Sequence, residues 1–244
     1  MSTRRSAPTS RGSRLASSTI FCALSALLVV HSGFTLQRDD AQQESPQPIS
    51  VGHRIVVVLL DVNSHQDKIL PVEQELAEGV VRKLAQPGNV FSVITFGAQA
   101  STLSQAAVPA DEAIAAIRNV RVGNPRQDYL STQLYDALDR AFSQFIEDRG
   151  SKSLLVITEG NDYPRGKTFK QTVSRAQQLQ VTCNVALVAG HTFYGSKATQ
   201  RYGFYLRRLA GKTHGRYVEV GKGQKRISRS IERLADGVLG GPRC

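Results

Sequence analysis

Three short clusters of oxygen-bearing side chains could do chemistry. Asp61-Val62-Asn63-Ser64-His65 follows one apolar run, and Thr158-Glu159-Gly160-Asn161-Asp162 ends another. Leu130-Ser131-Thr132 opens an amphipathic stretch between them. Carboxylate, hydroxyl and amide oxygens are the donors that hard cations such as Mg²⁺ take. His65 is the odd member, because imidazole suits Zn²⁺ and other transition metals better. Other chemistries lack their signatures. No G-x-G-x-x-G follows the first apolar run, and no G-x-x-x-x-G-K-[ST] or G-x-S-x-G occurs. His53, His65, His191 and His214 are scattered, with no base or third ligand paired to them. We therefore expect no catalysis.

The elements around the clusters predict how they are held. Arg54–Leu60 (RIVVVLL), Val90–Phe96, Ser153–Thr158 and Thr182–Val188 are continuous apolar runs, the pattern of strands buried on both faces. Ser101–Ser104 reads as a short edge strand and Arg216–Val220 as a final one. Helical spacing predicts helices over Ile69–Leu84, Asp111–Asn119, Thr132–Phe145, Phe169–Leu179, Gln200–Ala210 and Ile227–Leu239. Alternating strands and helices predict an α/β fold: a doubly wound, mostly parallel, Rossmann-like sheet with helices on both faces and one antiparallel edge strand. In such a sheet the working crevice lies beyond the carboxyl ends of the strands, where strand order reverses. The loops after Leu60, before Thr132 and after Thr158 should meet there.

The order of these pieces resembles the von Willebrand factor type A domain, as found in bacterial proteins and as the inserted domain of integrins. The resemblance covers about residues 52–220. It rests on IVVVLLDVNSH, STQLYDAL, the strand leading into TEGND, and LRRLAGKTHGRYVEV at 206–220. It implies a Mg²⁺ adhesion site built from an Asp-x-Ser-x-Ser loop, a threonine and an aspartate, with one position open to a partner's carboxylate. Asp61 and Thr132 match that pattern. Asn63 and His65 stand where the serines are expected, and Glu159 where the aspartate is. The substituted set leads us to expect weak or absent Mg²⁺ binding, with Asp61 hydrogen-bonded at its strand end and Thr132 capping its helix. An altered but working cation site at Asp61, Asn63, His65, Thr132 and Glu159 is the alternative, with Mg²⁺ as the candidate cofactor. The implied role is protein–protein interaction, with Asp162 among the partner-binding residues.

Charge separates from this crevice. The chain has 244 residues and a formal net charge of +11. The excess sits in two places, an arginine-containing leader and residues 196–244, and the body between them is near neutral. Arg4, Arg5, Arg11 and Arg14 precede the uncharged run Leu15–Leu36, which reads as a signal peptide or an N-terminal membrane anchor. Either would place the rest outside the cytoplasm, as a periplasmic, extracellular or anchored domain. Residues 37–51 read as a polar linker, 52–220 as the domain, and 221–244 as a basic helix and tail packed on it. Arg226, Arg229 and Arg233 line one helical face, which reads by default as a solvated basic surface, with docking on an anionic lipid or an acidic partner as the main alternative. A small hydrolase or a polyanion-binding module remains a further alternative, though export argues against nucleic acid. Cys183 sits in an apolar strand, where a buried free thiol and a disulfide with Cys244 are both open.

Overall fold

The computed structural model describes residues 53–62, 69–97, 100–104, 107–122, 133–146, 148–160, 168–188, 197–221 and 223–240, with side chains from 203 onward in the second-last segment. The chain divides into two units, Met1–Pro46 and Gln47–Cys244, and every described residue belongs to the second. The leader, Asn63, His65, Thr132, Asp162 and Cys244 lie outside the described residues. Among the described residues no helix is long and apolar enough to cross a membrane.

Six strands form one sheet: β1 (Arg54–Asp61), β2 (Asn89–Phe96), β3 (Ala100–Thr102), β4 (Ser151–Thr158), β5 (Val181–Val188) and β6 (Tyr217–Val220). Their order is β3-β2-β1-β4-β5-β6, all parallel except β3 against β2. The helices are α1 (Leu70–Leu84), α2 (Ala110–Arg118), α3 (Leu134–Ser143), α4 (Phe169–Gln178), α5 (Lys197–Lys212) and α6 (Gln224–Leu239). The doubly wound fold is the one expected from the alternation of the sequence. The edge strand is shorter than Ser101–Ser104 and begins one residue earlier.

β1 shows why the strands lack a polar face. Val56, Val58 and Leu60 point into a core shared with α1, α2 and α6, while Ile55, Val57 and Leu59 point into a second core with α3, α4 and α5. Two covered faces leave no place for alternating polar residues. Helix α1 lays Leu76, Ala77, Val80, Val81 and Leu84 against the first core. It approaches α6 closely at Gly79, where a Cβ would run into the Ile231 side chain. The polar N-terminal edge of the sheet is tied by His53, whose ring bonds Gly88 O at 2.9 Å and Asp148 at 3.1 Å. There too Arg54 donates to Leu239 O at 3.3 Å.

Helix starts differ in how they are capped. Thr168 and Gln171 form a reciprocal capping box at α4. Helix α3 begins at Leu134 with Gln133 as its N-cap residue and no side-chain cap. Thr132, expected as the cap of this helix, lies outside the described residues. Cys183 is a free, fully buried thiol, and burial pushes its pKa up to about 12.

Candidate functional site

Strand order reverses at the sheet centre. From β1 the chain runs outward through β2 and β3, then returns to β4 on the other side of β1. The carboxyl ends of β1 and β4 thus flank the crevice that a doubly wound sheet provides. Asp61 closes β1 and Thr158 closes β4 on the neighbouring strand. Both are fully buried, and Glu159 follows at 3% exposure.

The geometry at this end is specific. Thr158 Oγ1 donates to Asp61 Oδ2 at 2.7 Å, in a buried bond. The same hydroxyl accepts from Gly160 N at 2.9 Å. Gly160 turns the chain with a φ of 83°, in the left-handed region that glycine adopts freely. One hydroxyl therefore orients the Asp61 carboxylate and pins the loop after β4. Val62 N donates to Phe96 O at 2.8 Å, and Gln133 N to Gly97 O at 3.1 Å. The second bond holds the start of α3 beside the end of β2, so three loop roots meet around β1.

Glu73 was not anticipated. It lies in the first turn of α1, fully buried. Among the described residues neither of its carboxylate oxygens has a hydrogen-bond partner. Burial pushes its pKa well above the ordinary carboxylate range, and the charges of Asp61 and Glu159 push it further. The crevice thus has three acidic side chains within electrostatic reach of one another. The sequence held one sign of this. Leu70, Ala77, Val80 and Leu84 form an apolar stripe at helical spacing, and Glu73 occupies a stripe position.

Of the expected site residues, Asp61 and Glu159 come together at the crevice. Among the described residues no three His, Cys, Asp or Glu side chains are arranged to hold one metal ion together. Asp61 accepts a side-chain hydrogen bond at the strand end, as expected. Arg226, Arg229 and Arg233 are exposed on α6, and no hydrogen bond or ion pair described joins them to Asp61 or Glu159. A hollow of about 780 Å³ lies elsewhere, at the amino ends of β4 and β5. Arg149, Lys152, Lys212 and His214 line it, with Asp148 as its acid.

A family model for the von Willebrand factor type A domain matches residues 54–227. No curated protein sequence matches the chain. Several solved structures share the fold at low identity. A von Willebrand factor type A protein from Catenulispora acidiphila superposes with a TM-score of 0.62 at 13% identity, covering 77% of this chain and 43% of that one. An aerotolerance-related membrane protein from Bacteroides fragilis gives 0.58 at 14%, covering 78% of this chain and all of the other. Proximal thread matrix protein 1 from the mussel byssus, with zinc in its metal-ion-dependent adhesion site, gives 0.61 at 18%, covering 78% and 46%. The family match spans most of the folded body, including β1, β4 and the crevice between them, and the chain belongs to the von Willebrand factor type A domain family.

Proposed function

We propose that the chain is a non-catalytic protein-binding module, displayed outside the cytoplasm or tethered there by its leader, that engages its partner at the Asp61–Glu159 crevice. The observation that carries this reading is the Thr158–Asp61 bond at the strand-order reversal, which presets an acidic strand end beside three loop roots. Preset geometry lowers the ordering cost of association. Asn63, His65, Thr132 and Asp162 stand close in sequence to Asp61, the start of α3 and Glu159, and the outer face of α6 with Arg226, Arg229 and Arg233 offers a separate contact for an acidic partner.

A photo-crosslinking amino acid at Val62, expressed in the full chain in its own cells, tests the reading. A discrete adduct is expected from Val62 and none from Gln178, on the far side of α4. Adducts from Gln178 alone would move the interface away from the crevice. N-terminal mass spectrometry of the same preparation decides between a cleaved leader and an anchor.

A second reading makes partner binding depend on a divalent cation. The buried, unpartnered carboxylate of Glu73 favours it, because hard oxygen donors without a counter-charge are what such an ion requires.

A further inference from the structure

We infer that the hollow at the amino ends of β4 and β5 is a second binding site, one that takes an organic phosphate carrying at least two negative charges. It lies at the opposite end of the sheet from Asp61. β4 is 8 residues long, so about 23 Å of strand separates the hollow from the crevice.

Four basic side chains reach the hollow from two separate stretches of chain. Arg149 and Lys152 come from the start of β4, and Lys212 and His214 from the end of α5 and the turn after it. Among the described residues Asp148 is the one acid of the lining, and its carboxylate is already engaged. Oδ2 meets His53 Nε2 at 3.1 Å, and Oδ1 accepts from Gly150 N at 2.6 Å. No ion pair among the described residues joins Arg149, Lys152 or Lys212 to an acid. Unpaired cations around one concavity repel one another and focus positive potential into it, and a bound anion relieves both effects.

The helix ends at the hollow do not oppose an anion. α4 and α5 both finish there, and bare carbonyls at a helix C-terminus would favour a cation. Local bonds occupy these carbonyls instead. Gln180 and His214 turn the chain with φ of 57° and 60°. Gln180 N donates to Gln177 O at 3.1 Å and Gly215 N to Ala210 O at 2.8 Å. Gln177 Nε2 donates to Lys212 O at 3.0 Å. Complementing a helix dipole would explain Lys212, in the last turn of α5. It does not explain Arg149 and Lys152, which stand at the start of a strand.

Size and lining set the ligand class. The volume of about 780 Å³ falls within the range of small-molecule sites, about 300–1,000 Å³, and exceeds what one phosphate fills. Ala176 and Val181, both buried, supply an apolar wall for an organic portion. Arg149 suits a two-pronged phosphate contact, and the lysines act as point charges. The His214 ring adds an N–H donor even when neutral. A soluble phosphate ester and a lipid headgroup share this chemistry.

The test uses the full chain in mild detergent, as wild type and as Lys152→Gln, Lys212→Gln, the double variant and Lys170→Gln. Lys170 lies in the first turn of α4, outside the hollow. Calorimetry with fructose 1,6-bisphosphate and with inorganic phosphate gives affinities, and thermal melting checks folding. The bisphosphate should bind more tightly than phosphate and weaken as salt rises. Each single hollow variant should bind it about tenfold more weakly, with Lys170→Gln unchanged. A wild type that binds the bisphosphate no better than the double variant overturns the site. So does a loss in Lys170→Gln equal to that in Lys152→Gln, which would mark a diffuse effect of net charge. If Lys152→Gln does not fold, the exposed Lys212→Gln carries the same comparison. Competition by micelles doped with cardiolipin, which carries two phosphates, or with phosphatidylcholine separates the sources. Displacement by cardiolipin alone assigns a lipid headgroup, and displacement by neither assigns a soluble ester. Equal displacement by both overturns recognition by charge.

Discussion

The Thr158 hydroxyl is the part of the crevice most open to a quantitative test. Thr158→Val keeps the shape of the side chain and removes only the oxygen. Two buried interactions go with it: the 2.7 Å bond to Asp61 and the 2.9 Å bond from Gly160 N. A hydrogen bond to a charged group contributes about 1.5–3 kcal/mol, and a buried donor left unpaired costs about 1–3 kcal/mol. Valine's better transfer into an apolar interior offsets part of this, leaving a net loss of about 3 kcal/mol. For a domain of this size that is a fall in Tm of about 6–12 °C. Thr158→Ser is the control. It keeps the hydroxyl and loses one methyl, at about 1 kcal/mol. Urea titration followed by circular dichroism would give both values, and equal slopes would show that stability alone has changed. If the valine variant is no less stable than the serine variant, the hydroxyl does not hold Asp61 and Gly160, and the account of a preset crevice fails.

Three further outcomes follow from other parts of the molecule. Glu78 receives hydrogen bonds from Arg82 and Arg118 at the surface, and these hold its carboxyl at about 2. Its contribution is present above the ordinary carboxylate range and is lost as pH falls toward 2; solvent screening keeps it below about 1 kcal/mol. Glu78→Gln should therefore narrow its stability gap from wild type as acid is added, measured by urea midpoints at stepped pH. Cys183 should resist iodoacetamide in the native protein and react fully in urea, since its thiol is buried and protonated at neutral pH; rapid native labelling, followed by mass spectrometry, would contradict its placement. Gly79→Ala should lower stability by about 1–3 kcal/mol, despite alanine's better helix propensity, because the added carbon meets Ile231. A Gly79→Ala/Ile231→Val double variant should recover part of that loss in the same urea assay.

The sheet and its faces were legible because both sides of the central strands are covered. IVVVLL at 55–60 has no polar alternation, and its residues divide between two cores in turn. Element ends were less legible. Ser151 and Lys152 are polar, yet they pair with Arg54 and Ile55 at the start of the sheet, so β4 begins before its apolar run. The positions of Asp61 and Glu159 could be read as strand ends. The bond from Thr158 to Asp61 could not, because it depends on β1 and β4 lying side by side across a long stretch of chain. Glu73 was hidden differently. Its type suggested a solvated helix face, while its place in the apolar stripe of α1 put it inside.

The central position of β1 also bears on how the protein is made. Arg54 pairs with Asn89 on one side and Ser151 on the other. A chain delivered from its amino end thus leaves one edge of this largely apolar strand unpaired until Ser151–Thr158 has emerged. Closure over so long a separation raises contact order and slows folding. The same delay leaves RIVVVLL open to pairing with other chains, so a holding chaperone should matter more to yield than the stability of the finished fold.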